Sequence, residues 1–200
     1  MDSEHPAKKI ILVDTSSFIT LVEAGAENLL YGRSESVKVP EHVVSEVTDE
    51  PVMSELHRAI HSYDLTVSQT DHIARRHFPY YRAAAFHLDE TTPFIRGELH
   101  WSGDAALVGT ALHTSNVEIV TDDGYLRRRC RDLTIPVTGS LGILLDAVDE
   151  SQISTTEALE ILQQIQRSSA WLGDDLIERV EREIKESKRD EAASSQNTSR

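Results

Sequence analysis

Residues 8–21 read KKIILVDTSSFITL. Ile10, Ile11, Leu12 and Val13 form a short, unbroken apolar run rich in β-branched side chains, the pattern of a strand buried on both faces inside a parallel sheet. The run stops at Asp14. Thr15, Ser16 and Ser17 follow as good helix N-caps, and Phe18, Ile19, Leu21 and Val22 begin an apolar helical face. A carboxylate therefore stands at the carboxyl end of a central strand, the edge at which open α/β sheets bind ligands. The alternative is that Asp14 only caps the helix.

The same arrangement recurs. Val117-Glu118-Ile119-Val120 is a second buried-type strand, and Thr121-Asp122-Asp123-Gly124 ends it just before a helix that carries Arg127, Arg128, Arg129 and Arg131. Between the two, Val37-Lys38-Val39 is a short strand, and Pro40 suits the start of the helix PEHVVSEV, on which Glu46 rides. A helix over 51–63 and a strand at 65–67 follow. The first helix is expected to run on to about Gly32. Residues 71–99 are rich in His, Tyr, Phe and Arg and are cut by Pro79 and Pro93; short helices over 71–77 and 80–88 are expected there. SGDAALVGTALH is a small-residue helix with Asp104 in its first turn, where the helix dipole alone would favour an acid. A third short strand is expected at 133–137, then the Leu-rich helix of TGSLGILLDAV. Leu159, Leu162 and Ile165, then Ile177, Val180 and Ile184, mark two amphipathic helices.

Two hundred residues suffice for one domain with its own core. A single cysteine, Cys130, excludes an internal disulfide and a thiolate zinc cluster. His57 and His61 are spaced i, i+4 but lie outside any HExxH pattern and are expected on a helix surface. The opening MDSEHPAKK lacks the apolar core of a secretory signal, and no run is long enough to cross a bilayer, so a cytoplasmic protein with no membrane partner is expected. The formal charge of −14 weighs against nucleic-acid binding through bulk charge. Lysine occurs only at positions 8, 9, 38, 185 and 188. Such acid-rich, lysine-poor surfaces resemble those of halophilic archaea, in whose molar-salt cytoplasm a Debye length of about 3 Å leaves only local basic clusters relevant.

Asp14, Glu46, Asp104 and Asp122, with Asp123 adjacent, are four acidic positions that one doubly wound sheet can bring to a single edge. Two unit charges about 4 Å apart repel by roughly 1 kcal/mol in water and about 4 kcal/mol at an effective dielectric near 20. Hard oxygen ligands without His or Cys favour Mg²⁺ or Mn²⁺, which can activate water and offset charge on a phosphodiester.

The words LVDTSSFITL, VPEHVVSEV, GDAALVGTALH and EIVTDDGYLRRR, in that order, resemble the PIN-domain nucleases, and TGSLGILLDAV with the closing helix pair resembles a small prokaryotic branch related to VapC-type toxins. The resemblance implies a Rossmann-like α/β/α sandwich with a central parallel sheet and C-terminal helices, and Mg²⁺- or Mn²⁺-dependent cleavage of RNA. It aligns Asp14, Glu46, Asp104 and Asp122 with the four family acids as catalytic residues. Asp14, Asp104, Asp122 and Asp123 are the expected metal ligands, and Ser16 a supporting hydroxyl. The expected organisation is a nuclease domain over 8–150, a helical extension over 151–187 and a disordered tail over 188–200. Arg127, Arg128 and Arg131 are the expected RNA contacts, while Arg129 is expected to turn away and pair with surface acids. The implied role is the toxin of a toxin–antitoxin pair, with a small antitoxin as partner, or an RNA-processing nuclease. The C-terminal apolar stripes are expected to pack on the domain's own core, the alternative being a homodimer or antitoxin face. A second class of reading is a catalytically silent PIN-fold nucleic-acid-binding or scaffold protein; intact acids at all four positions argue against it. A receiver-like or phosphatase reading would need a catalytic lysine, and none lies between Lys38 and Lys185.

Overall fold

The computed structural model describes residues 9–31, 36–62, 64–68, 73, 75–90, 94–95, 98–99, 101–168 and 172–197. Its centre is β1 (Ile10–Val13), with Ile11, Leu12 and Val13 wholly buried. β1 pairs in parallel on one side with β2 (Ser36–Pro40), which pairs with β3 (Thr66–Ser68). On its other side it pairs with the strand Val117–Val120. A short strand, Val137–Thr138, closes that edge. Counting the hairpin strands β4 (Phe94–Ile95) and β5 (Glu98–Leu99), these last two are β6 and β7, and the five-stranded parallel sheet has the order β3-β2-β1-β6-β7. The expected α/β architecture with a central parallel sheet is therefore present.

Strand order reverses between β1 and β6, because the chain first builds outward through β2 and β3 and then returns to the other side of β1. The crevice at such a switch point is the ligand-binding place of open α/β sheets. Val13 is in register with Val120, so Asp14 and Thr121 leave the sheet side by side.

Helices cover the sheet. α1 (Thr15–Glu23) follows β1 and α2 (Asn28–Tyr31) comes next. The expected single helix is split because Gly25, at φ +66°, takes the left-handed conformation that ends α1, with the Ala26 N–H donating to Leu21 O at 2.8 Å. α3 (Glu41–Glu46) and α4 (Val52–His61) connect β2 to β3. His57 and His61 are exposed on α4, and the His61 ring bonds the His57 carbonyl of its own helix. α5 (Phe78–His87) packs along α6 (Gly103–His113). Of the expected helix over 71–77, residues 71, 72 and 74 lie outside the described residues; Ile73, Arg75 and Arg76 are helical, and the His77 N–H donates to Ile73 O at 3.0 Å.

α7 (Gly124–Asp132) leads to β7. The third strand was expected at 133–137, but Leu133 and Thr134 form the turn that ends α7, with Thr134 at φ 57° and the Ile135 N–H returning to Cys130 O at 2.8 Å. Pairing therefore starts only at Val137.

α8 (Ser140–Asp149), α9 (Thr155–Ser168) and α10 (Asp174–Asn197) complete the chain. Leu162, Ile165, Ile177, Val180 and Ile184 are buried, so the C-terminal stripes are covered within the chain by the packing of α9 and α10 on each other and on α8. α10 runs on past Lys188, where a disordered tail was expected. The missing core formers do not stop it, since Glu, Lys, Arg, Ala and Gln are all good helix formers. Among the described residues, no helix is long and apolar enough to cross a membrane.

The α5–α6 contact is closed by Gly109. A Cβ there would lie 2.7 Å from two ring atoms of Tyr81 and 3.1 Å from its Cα. Tyr81 is wholly buried and anchored, its hydroxyl donating to Thr110 Oγ1 at 2.8 Å while Thr110 donates on to Ala106 O at 2.7 Å. The ring has nowhere to retreat. Gly109→Ala should therefore destabilise the fold by about 1–3 kcal/mol despite the better helix propensity of alanine. A urea titration that finds the variant as stable as the parent would show that α5 is free to shift.

Candidate active site

Asp14 is 6% exposed and takes the N-cap position of α1, yet its side chain makes no capping hydrogen bond. Its Oδ2 instead accepts from Ser16 Oγ at 2.5 Å and from Thr121 Oγ1 at 2.7 Å. The capping explanation of Asp14 is thereby set aside in favour of a carboxylate held at the switch point by hydroxyls from both strand ends. The two hydroxyls are themselves held. Ser16 Oγ accepts from the Asp122 N–H at 3.1 Å, and Thr121 Oγ1 from the Asp123 N–H at 3.1 Å. Thr121 is wholly buried and is the site residue that sequence reasoning passed over most directly, its only sign being its place at the end of β6.

Glu46 is exposed at the end of α3, and its Oε2 accepts from Thr15 Oγ1 at 2.8 Å. The start of α6 lies against it, since a Cβ on Gly103 would come 2.6 Å from Glu46 Oε1. Asp104 is next in α6, whose N-cap Ser102 accepts from the Ala105 N–H at 3.0 Å and donates to Glu90 Oε2 at 2.6 Å. Glu90 is thus a further carboxylate at this edge. It sits in a loop with no periodic pattern to draw attention to it.

The charges act on one another through Asp104. Burial, then the charges of Asp14, Glu90, Asp123 and Glu46, push its carboxyl up to about 7. A helix-dipole effect would move it the other way, so the dipole does not explain its environment. Of the two adjacent acids after β6, Asp123 is the one whose charge bears on Asp104, and its Oδ1 also caps α7 by accepting from the Leu126 N–H at 2.7 Å. Asp122 has different partners. Its Oδ1 accepts from the Ser140 N–H at 2.8 Å and its buried Oδ2 has no hydrogen-bond partner. The charges of Asp14, Glu46, Asp123 and Glu90 all bear on Asp104 at this edge, and Asp122 is tied through Oδ1 to the start of α8. Among the described residues, no three His, Cys, Asp or Glu side chains converge closely enough to make a ready cage for an ion.

The arginines of α7 divide as expected for one of them. Arg129 pairs with Asp89, lies 3.9 Å from Asp132 and stands over the Tyr125 ring at 5.0 Å. Arg127 is half-buried, with Nη1 donating to Thr121 O at 3.4 Å; burial and the neighbouring Arg131 charge lower its pKa, against the pull of Asp122. Arg127 and Arg131 line a cleft beside the acids, whereas Arg128 is exposed and stands outside its lining. Cys130 is buried, which pushes its thiol up to about 12 and leaves it protonated at neutral pH.

The raised Asp104 pKa has a stability consequence. The folded chain holds a proton on Asp104 that the unfolded chain releases near pH 4, so in the metal-free protein this contribution is complete below pH 4 and is lost as pH rises to about 7. With divalent ions chelated, Asp104→Asn should melt above the parent at pH 8 and level with it below pH 4. Equal melting temperatures at pH 8 would mean that the acids do not repel through this position.

A family model described as PIN domain matches residues 10–186, which takes in the whole sheet, the acidic edge and most of the C-terminal helix pair. No curated protein matches the chain by sequence. With the match covering nearly the entire chain and the parallel sheet carrying its acids at the switch point, the chain belongs to the PIN-domain family, whose members are in general nucleases.

Proposed function

We propose that the protein is a Mg²⁺- or Mn²⁺-dependent endoribonuclease. The observation that carries the reading is Asp104, held among the charges of Asp14, Glu90, Asp123 and Glu46 at the carboxyl ends of β1 and β6. A catalytically silent scaffold gains nothing from such a self-repelling set, and each carboxylate there costs stability unless a cation or a proton offsets it.

The residues fit a hard divalent cation in kind. Every donor is oxygen, the acids outnumber the local basic groups, and two hydroxyls fix the orientation of Asp14. Asp14, Asp104 and Asp123 are the residues that would hold the ion, with Glu46 and Glu90 at the margin and Asp122, whose buried Oδ2 has no hydrogen-bond partner, as a further candidate ligand. When bound, the ion supplies activation of water and charge stabilisation at the phosphodiester.

The chain's own residues do the rest. Ser16 and Thr121 spend their protons on Asp14 Oδ2, leaving its other oxygen available. Glu46, exposed and steered by Thr15, would accept a hydrogen bond from the attacking water. The water oxygen forms a bond to phosphorus, one bridging P–O bond breaks, and the departing ribose oxygen takes up a proton.

Purified protein with Mn²⁺ should cut single-stranded RNA, and Asp14→Asn should abolish cutting while leaving the melting temperature within a degree or so of the parent or higher, since it removes a repelling charge and keeps the shape. An Asp14→Asn protein that cuts at the parent rate would end the assignment. Thr121→Val keeps the volume and removes the hydroxyl that orients Asp14, so Mn²⁺ affinity measured by calorimetry should fall about 10–100-fold. An unchanged affinity would mean that Asp14 is not a ligand.

A further inference from the structure

Next to the acidic edge, a cleft of about 540 Å³ opens between α7, the start of α8 and α10. That volume is in the range of small-molecule sites. Asp123 lines it at one end, so the cleft is continuous with the acidic site. Its basic side chains are Arg127 and Arg131 from α7 and Arg179 from α10, with the carboxylates of Asp122 and Glu183 also in the lining; its apolar wall is Leu141, Leu145 and Leu176. Among the described residues, the ion pairs of the α7 arginines belong to Arg129, and Asp122 stands near Arg127 and favours its charge without forming an ion pair with it. In a chain with 34 acids and a net charge of −14, that division is informative, because Arg129 on the same helix is fully engaged with Asp89 and Asp132. Arg127 and Arg131 sit one helical turn apart and repel each other, and Arg127 is half-buried. Two like charges held one turn apart, Arg127 half-buried and Arg131 exposed, are an arrangement that a phosphate relieves, since each guanidinium group can grip phosphate oxygens with two donors.

We propose that this cleft binds one nucleotide residue of the RNA strand adjacent to the bond being cut, with its phosphate on Arg127 and Arg131, its ribose and base against Leu141, Leu145 and Leu176, and Arg179 closing over it from the C-terminal helix. The proposal rests on the ribonuclease reading for the identity of the strand. It adds a function for α10, which becomes part of the substrate site as well as cover for the core. An unpaired residue is required, because a cleft of this size with an apolar wall admits a splayed-out base and excludes a paired one. The phosphate contacts carry no base preference directly, so any preference arises from the leucine wall.

The test uses the full chain at low salt with divalent ions chelated, so that RNA stays intact. Adenosine 5′-monophosphate, inorganic phosphate and a single-stranded RNA octamer are titrated separately, followed by amide chemical shifts. Adenosine monophosphate should shift amides of α7, the start of α8 and α10, and should bind at least about tenfold more tightly than inorganic phosphate, since only the nucleotide reaches the apolar wall. Arg179→Gln, at an exposed position where folding is not at stake, should weaken the nucleotide and the octamer by about tenfold. Leu145→Trp, checked by melting, fills the cleft with the arginines intact and should do the same. Nucleotide shifts located elsewhere, or octamer binding indifferent to both variants, overturn the proposal even if Mn²⁺-dependent cutting of RNA is found. Nucleotide binding that responds to both variants while the octamer does not would identify a free-nucleotide site and overturn the strand assignment. Binding of both as expected, in a protein that cuts no RNA with Mn²⁺, would leave the cleft standing and remove the ribonuclease reading alone.

Discussion

Like-charge repulsion at the carboxyl edge of the sheet is the constraint around which the site is built. At an effective dielectric near 20, two carboxylates repel by roughly 4 kcal/mol at about 4 Å and by proportionately less at greater spacing, which is still a sizeable share of the stability of an ordinary domain when several act on one group. The fold meets this with groups that cannot move away. Val13 and Val120 are wholly buried and in parallel register, so the backbone that carries Asp14 is locked to the backbone that carries Thr121. The Asp14 N–H donates to Val120 O at 2.9 Å, extending the ladder one residue beyond the strand. The Ser16 and Thr121 hydroxyls then point at one carboxylate oxygen, each fixed from behind by a backbone N–H. Asp104 is less protected, and its carboxyl absorbs the strain as a raised pKa.

Much of this was readable in the sequence because the physics was local. The runs at 10–13 and 117–120 are too apolar and too β-branched for anything but buried strands, and a buried strand must end somewhere polar. Asp14 and the two acids after β6 follow from that alone. What could not be read is equally physical. At the end of β6 the two-residue alternation of the strand gives way to a helix cap, so sequence offers no rule for which of Asp122 and Asp123 faces Asp104; the capping bond to the Leu126 N–H and the bond from the Ser140 N–H decide it. Glu90 follows Asp89, which takes φ 56°, in a connection without periodicity, and comes into the site only because Ser102 of α6 holds it. Arg179 lies more than fifty residues beyond Asp123 on a helix whose apolar stripe reads as packing. The error at 133–137 has the same cause: Thr134 in the left-handed region is invisible in a run that otherwise looks like a strand.

The C-terminal helices illustrate how one element can answer two demands. Ile177, Val180 and Ile184 are buried and cover the core, while Leu176 and Arg179, on the adjoining face of the same helix, line the cleft. An amphipathic helix has no spare face when one stripe packs inward and the next borders a site. That is a sufficient reason for the apolar pattern of α10 without invoking a second copy of the chain, and it explains why the stripe by itself said little about function.

The acidity of the chain and the proposed contact with a polyanion are reconciled by distance. A net charge of −14 repels RNA over the length of the Debye layer, but that layer is only about 8 Å thick at physiological ionic strength and thinner in stronger salt. Inside it, a bidentate guanidinium–phosphate contact depends on geometry and desolvation far more than on the distant field. On the proposed reading, a protein built this way would be a poor general binder of nucleic acid and a selective one at a single place. Only a strand that delivers a phosphate to the arginines of α7 and a backbone to the acids beside them would recover what the repulsion costs. The acidic surface would then work toward specificity, because it penalises every mode of RNA contact that does not reach the cleft.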